Sequence, residues 1–147
     1  MKKIPLKPVL AIMSLSAVLQ TSPALAHDIS GSLGKANTVV DYYQVHCYDD
    51  GNGPNNRLEV AIKDLAPVAA PKVSIQIIRD DTTTNTTDAV DGDASYSPIV
   101  NVTGSDGFFY MTVDKTATGA ENYSVQFHCM TSDGQHTGTI ISTIADQ

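Results

Sequence analysis

Hydrophobic and polar residues alternate with a period of two along much of this chain. In one segment Leu58, Val60 and Ile62 share a face, and the residues between them share the other. Three further segments repeat the pattern, with the apolar series Val73, Ile75 and Ile77, then Phe109, Met111 and Val113, then Tyr123, Val125, Phe127 and Cys129. Alternation of this kind, rich in β-branched and aromatic residues, is typical of strands that bury one face.

Turn-forming residues separate the alternating segments where hairpins would reverse the chain. Glycine occurs with Asp, Asn or Ser in three clusters, at residues 50–54, 104–107 and 132–134. Three further strands are expected, at residues 41–48, 96–103 and 137–144. The polar residues 82–93, rich in Thr and Asp, are interpreted as a long surface loop. The sequence therefore predicts an all-β fold, an antiparallel β-sandwich of immunoglobulin-like or jelly-roll type with about seven or eight strands.

The start of the chain has the organisation of an export signal. Three lysines precede an apolar stretch, residues 9–19, which is too short to span a bilayer as a mature helix. The sequence Ala-Leu-Ala, ending at Ala26, then supplies a small-x-small cleavage pattern. We expect residues 1–26 to be a cleaved signal peptide and residues 27–147 to form a single sandwich domain, periplasmic or secreted, that begins at His27.

Removing the signal makes the remaining chain strongly acidic. The three signal lysines belong to the 9 basic residues of the whole chain, so 6 basic residues remain against 16 acidic ones, a net charge of −10. Such a charge repels nucleic acid and anionic lipid, so neither is an expected partner. No second apolar run is long enough for a membrane anchor, and no membrane insertion is expected after cleavage.

Cys47 and Cys129 are the two cysteines of the chain. In a protein bound for an oxidising compartment, such a pair is expected to form a disulfide. The bridge would close a loop of roughly 80 residues and stabilise the fold by about 4 kcal/mol in the chain-entropy model. The alternative is a pair of thiolate metal ligands, which requires a reducing space or tight shielding.

Four short motifs resemble a known secreted module. The stretch GSLG at residues 31–34, followed by DYYQV at residues 41–45, resembles the opening of the bacterial pre-peptidase C-terminal domain. GFFYMTV at residues 107–113 resembles its penultimate strand, and ENYSV at residues 121–125 its closing strand. The resemblance implies an accessory β-sandwich. This chain departs from the family in its cysteine pair, and we expect it to stand alone, whereas the family usually accompanies a secreted protease.

Catalytic signatures are absent from the sequence. It contains no Gly-x-Ser-x-Gly, His-Glu-x-x-His or P-loop pattern, and its histidines are not set near a candidate serine nucleophile. We therefore expect a protein that is not an enzyme.

Histidines are candidate copper ligands. At the expected mature N-terminus, His27 offers an α-amine and a ring nitrogen that could chelate one ion, and copper favours such nitrogen ligands. A further nitrogen would have to come from His46, His128 or His136. The competing interpretation is that His27 is merely the residue that follows the cleavage site.

Two histidines immediately precede the two cysteines, as His46-Cys47 and His128-Cys129. Each histidine therefore points to the strand face opposite its cysteine. Two neighbouring strands in one sheet would place the histidines roughly 5 Å apart on a shared outer face. A bridge between opposed sheets would send them to opposite exteriors. The sequence leaves both arrangements open.

Acidic loops are candidate calcium sites, because Ca²⁺ takes carboxylate and carbonyl oxygens. The candidates fall in two clusters, Asp49, Asp50 and Asn52 in one and Asp88, Asp91 and Asp93 in the other. Neither cluster follows the twelve-residue calcium-loop spacing, and turn formation alone also explains Asp, Asn and Gly here.

Three functions remain open. The first is a non-catalytic binding or accessory module for a cell-surface component, a polymer or a protein, with Tyr42, Tyr48, Phe108 and Tyr110 as candidate contacts. The second is a small periplasmic copper-binding protein that uses His27. The third is a structural subunit of an extracellular assembly, joined through an open sheet edge.

Overall fold

A computed structural model describes residues 27–68 and 71–147. This part of the chain forms nine strands: β1 (His27–Leu33), β2 (Asp41–Tyr48), β3 (Arg57–Leu65), β4 (Val73–Arg79), β5 (Thr82–Thr87), β6 (Val100–Thr103), β7 (Gly107–Lys115), β8 (Glu121–Met130) and β9 (Gly138–Ala145). The expected signal peptide, residues 1–26, lies outside the described residues. In the described ranges, no helix has the length and apolar character needed to cross a membrane.

The strands form two antiparallel sheets that pack face to face. One sheet has four strands in the order β1-β8-β3-β6, and the other has five in the order β5-β4-β7-β2-β9. The apolar positions of the alternating segments are buried between the sheets, and Ile62, Ile75, Phe109 and Val125 are each fully buried. The predicted antiparallel β-sandwich is confirmed, and its interior is the face that the period-two pattern marks as apolar.

The segment at residues 82–93 is only partly a loop, so that prediction was wrong for its first half. Thr82–Thr87 forms β5 and pairs with β4 from Thr82↔Arg79 to Thr87↔Ser74. Threonine is β-branched and favours extended backbone. Because β5 is the edge strand of its sheet and is largely exposed, it shows no apolar alternation.

The strand expected at residues 96–103 is shorter in the structure and spans Val100–Thr103. Ser97 explains the difference. Its hydroxyl accepts a hydrogen bond from the Ile62 amide (3.0 Å), and its own amide donates to the Ile62 carbonyl oxygen (2.8 Å). Ser97 thus replaces part of the strand ladder beside β3 with one side-chain and one backbone hydrogen bond.

The N-terminal segment adds a strand that the expected number did not include. β1 pairs with β8 along its whole length, from His27 opposite Phe127 to Leu33 opposite Glu121. With β1 and β5 included, the described residues contain nine strands rather than seven or eight.

A polar cluster links the two sheets inside the sandwich. The hydroxyls of Tyr43 in β2 and Tyr123 in β8 lie 2.5 Å apart, and Tyr123 donates to Asp41 Oδ2 at 2.6 Å. The Asp41 side chain also accepts a hydrogen bond from the Gln147 amide at 2.8 Å. Burial and these hydrogen bonds raise the pKa of Tyr123 above its ordinary value, so its hydroxyl remains a donor at all ordinary pH values.

Candidate functional site

The disulfide decides where the histidines point. Cys47 lies in β2 and Cys129 in β8, so their bond joins the five-stranded sheet to the four-stranded sheet, with the Cα atoms 5.6 Å apart. Both cysteines are fully buried. Since each neighbouring histidine occupies the opposite face of its strand, His46 and His128 lie on opposite exteriors of the sandwich. The two therefore cannot share an ion.

His128 lies close to His136 on the outer side of the four-stranded sheet. The ring centroids are 4.5 Å apart. A tight turn after β8 brings the second histidine back, because the Thr131 amide donates to the Gln135 carbonyl oxygen and the Gln135 amide donates to Thr131 Oγ1. A bridge between Met130 and His136 then fixes the register. Turn chemistry thus joins two histidines that are eight positions apart in the sequence.

His27 belongs to the same end of β8. It pairs with Phe127, and the two ring centroids are 5.8 Å apart. Because the two strands are antiparallel, earlier residues of β1 lie opposite later residues of β8. The N-terminal side of His27 therefore faces His128. If cleavage follows Ala26, the new α-amine lies beside the His128 position.

The surroundings of His128 lower its pKa and so favour the neutral imidazole. Burial is the largest cause that lowers its pKa, and the charges of His136 and His27 lower it further, against the opposing effects of Glu59 and Asp28. Among the described residues, no hydrogen-bond partner satisfies its buried Nδ1. A neutral imidazole with an unengaged ring nitrogen is the form that binds metal ions.

Carboxylates border this histidine group. Glu59 lies opposite His128 in the pairing of β3 with β8, and its Oε1 accepts a 2.6 Å hydrogen bond from Arg57 Nε. No group of three His, Cys, Asp or Glu in the part of the chain that the structure describes could hold a metal ion. A site here therefore needs a ligand other than side chains, and the α-amine freed by cleavage is such a group.

His46 lies instead in an aromatic row on the outer face of the five-stranded sheet. Its ring centroid is 4.7 Å from that of Phe108 and 5.5 Å from that of Tyr48. Further along the row, Tyr42 stacks on Tyr110 with a centroid distance of 5.7 Å. All four aromatic residues named from the sequence as candidate contacts lie on this face, and Phe108 is half exposed.

The carboxylates of the first acidic cluster accept hydrogen bonds within their own turn. Asp49 Oδ1 accepts hydrogen bonds from the amides of Gly51 (2.8 Å) and Gly53 (3.0 Å). Asp50 Oδ1 accepts one from the Asn52 amide at 3.2 Å. These contacts are the local side-chain-to-backbone bonds that turns favour, and they account for the composition of this loop.

The members of the second acidic cluster differ in burial. Asp93 is exposed and its Oδ1 accepts from the Ser95 amide at 2.7 Å, whereas Asp88 is buried and accepts from the amides of Asp64 and Val90. Asp88 lies beside a second buried acid, Asp64, which the sequence analysis did not select. Its signal was present, because Asp64 continues the inward alternation of Leu58, Val60 and Ile62.

Comparisons with known proteins gave no match. No protein-family model matches the chain, and neither the curated proteins nor the solved structures include a similar protein at a significant level.

Proposed function

We propose that the protein is exported, is cleaved after Ala26 and binds copper through His27, His128 and His136. The observation that carries this proposal is the grouping of these three histidines at one end of the pair β1 and β8. His128 and His136 are neighbours, and the charge of His27 acts on His128. Two of the four histidines of the chain thus lie near the end of β1 at which cleavage is expected to leave His27.

The ligand chemistry favours copper. The α-amine of His27 is expected to meet the imidazole of His128 on the adjacent strand. The His27 ring contacts Phe127 on the other face of the strand, so it joins the same ion only by turning over the strand end. His136, whose ring lies beside that of His128, supplies a further nitrogen. Nitrogen ligands in a tetragonal arrangement suit Cu(II), which binds most divalent-metal sites more tightly than its neighbours in the first row.

The proposed compartment is the periplasm or the exterior of the cell. The Cys47–Cys129 bond is of the kind that persists in oxidising compartments. The export signal expected from the sequence supports the same location, and so does the acidic, soluble surface of residues 27–147.

A copper titration of authentically processed protein tests this function. Protein that starts at His27 should bind one Cu(II), with an electron paramagnetic resonance spectrum that shows nitrogen ligands. Inserting one Gly before His27 converts the amine into an amide and should weaken binding at least about tenfold, or 1.4 kcal/mol. Equal affinity with and without that Gly would refute the chelate.

Histidine variants locate the site. His128→Ala and His136→Ala should each weaken Cu(II) binding, because the two rings are neighbours at the strand end where the new α-amine is expected. His46→Ala is the matched control, since His46 lies on the opposite exterior and its loss should leave the affinity unchanged. A loss at His46 equal to that at His128 would contradict the proposed location.

A second candidate function rests on the aromatic row of Tyr42, Tyr48, Phe108 and Tyr110. Partly exposed rings in a row offer stacking surfaces to a polymer such as a polysaccharide, and this agrees with the accessory role that the family resemblance implies. Gln44 Nε2 donates to the Tyr110 hydroxyl at 3.2 Å and holds that ring in place. Phe108→Ala and Tyr110→Ala should reduce retention on immobilised cell-wall polysaccharide, whereas His128→Ala should not. Unchanged retention would exclude this face as the contact.

A further inference from the structure

The outer face of the five-stranded sheet extends beyond the aromatic row onto β4 and β5. Residues that pair directly across antiparallel strands share a face. Tyr110 pairs with Ile78, and Ile78 pairs with Thr83. Beside this line of residues, Gln76 pairs with Asn85. The aromatic row is therefore continuous with a polar region formed by Gln76, Thr83 and Asn85, which we call the amide corner.

Two open pockets lie at the amide corner. One, of about 300 Å³, is lined by Gln76, Asn85 and two threonines. The other, of about 210 Å³, shares Gln76 and Thr83 with the first and reaches Asp80 and Asp81 at the hairpin between β4 and β5. Carboxamide and hydroxyl groups both donate and accept hydrogen bonds. The corner can therefore bind a ligand that carries many hydroxyl groups.

The middle of this outer face is uncharged. The outward residues of β2, and those of β7 from Phe108 to Thr112, include no Lys, Arg, Asp or Glu. Acidic residues stand at the margins, with Asp80 and Asp81 beside the pocket and Asp114 near the end of β7. An anionic polymer would be repelled by these margins and by the negative charge of the whole chain. The charge distribution therefore favours an uncharged ligand.

The dimensions of the face suit a chain of sugar units. Neighbouring strands lie about 4.8 Å apart, so the four intervals across the five strands span roughly 19 Å. One pyranose unit in an extended β-linked chain has nearly the length of one interval. A polysaccharide that lies across the strands would meet about one sugar unit per interval, which gives room for about four units.

We propose that the aromatic row and the amide corner together bind an uncharged β-1,4-linked polysaccharide that lies across the strands. This inference rests on the second candidate function, in which the aromatic row contacts a polymer. Tyr42 and Tyr110 stack on the apolar faces of the sugar units. Gln76 and Asn85 hydrogen-bond the hydroxyl groups of units further along the same chain. The rings thus supply contact area, and the amides select a hydroxyl-rich ligand.

Calorimetric titration of the protein starting at His27 with cello-oligosaccharides tests the proposal. Cellotetraose should bind at least about tenfold more tightly than cellobiose, because the shorter ligand cannot reach both the rings and the amides. In affinity electrophoresis, hydroxyethyl cellulose should retard the protein, whereas the anionic polymer polygalacturonate should not.

Amide variants locate the second half of the site. Gln76→Ala and Asn85→Ala should each weaken cellotetraose binding at least about threefold, as expected for the loss of one hydrogen bond. Asn101→Ala is the matched control, since Asn101 is an exposed amide on β6 in the other sheet and its loss should leave the affinity unchanged. All three side chains point outward, so the melting temperatures should match that of the wild type.

Several results would overturn this inference. One is equal affinity for cellobiose and cellotetraose, and another is retardation by polygalacturonate as strong as that by hydroxyethyl cellulose. If Tyr110→Ala weakens binding but Gln76→Ala and Asn85→Ala do not, the aromatic row contacts a polymer and the extended site is refuted. If the wild type binds neither ligand and forms a dimer that Tyr110→Ala breaks, a second copy covers this face instead of a polysaccharide.

Discussion

Gly31 lies directly over the ring of Tyr123. A Cβ atom at residue 31 would be 2.3 Å from the Tyr123 hydroxyl oxygen and 2.4 Å from Cζ, both well inside van der Waals contact. Tyr123 cannot move aside easily, because its hydroxyl is bonded to Tyr43 and Asp41. The absence of a side chain at residue 31 therefore allows β1 to pair with β8 over its whole length, up to His27.

Gly31→Ala should destabilise the protein by about 1–3 kcal/mol, the usual cost of forcing an extra carbon into a packed site. It should also weaken Cu(II) binding, since β1 carries His27. Gly34→Ala is the matched control, because a Cβ there would meet its nearest atom at 3.6 Å, an ordinary contact. Urea denaturation and a copper titration of both variants would check this, and equal stability of the two would contradict it.

Processing should leave His27 as the first residue of the exported protein. The basic, apolar and Ala-x-Ala order of residues 1–26 is the reason. Intact-mass analysis of the exported chain provides the measurement. A mature form that begins several residues away from His27 would remove the amine ligand and with it the proposed copper chelate.

The strands that the sequence predicts well are those with one buried face. β2, β3, β4, β7 and β8 each alternate apolar and polar residues, and the structure places each of them close to its expected position. β5 was missed because an exposed edge strand has no buried face to mark it. β6 begins later than expected because Ser97 forms a hydrogen bond that no periodic pattern could reveal.

The candidate sites depend on contacts between strands that the alternation of residues along one strand cannot predict. Alternation gives the face of His46 relative to Cys47, but it does not say whether Cys129 lies in the same sheet. The closeness of His128 and His136 depends on the turn at Thr131.

The bond between Cys47 and Cys129 should be present in the exported protein and should stabilise it. Neither thiol should react with an alkylating reagent until the protein is reduced. Replacing both cysteines with Ser should lower the free energy of unfolding by about 2–5 kcal/mol, because the bridge closes a loop with a sequence separation of 82. Alkylation of both thiols without prior reduction would contradict the structure.

In the absence of metal, the free energy of unfolding should depend on pH because the Asp64 carboxyl titrates. Its pKa is raised from 3.8 to about 6, mainly by burial, so the folded protein keeps this proton at a higher pH than the unfolded chain does. The free energy of unfolding should therefore fall as pH rises from about 4 to 6, by an amount on the order of 3 kcal/mol.

Chemical denaturation in EDTA, at intervals from pH 4 to pH 7, measures this dependence. Asp64→Asn removes the titrating group, so the decline with rising pH should be smaller in that variant. Asp93→Asn, which changes an exposed acid, should follow the wild type. Identical slopes for Asp64→Asn and the wild type would show that Asp64 does not titrate in this range.

The inter-sheet disulfide places the two proposed binding sites on opposite outer faces, with a packed core between them. The histidine group lies outside one sheet and the aromatic row outside the other, and packed sheets stand about 10 Å apart before side chains are counted. A ligand on the aromatic row would therefore not touch an ion at His128, and the two binding free energies should simply add. Such a chain could anchor to a polymer with one side and hold its metal with the other, as a bivalent adaptor.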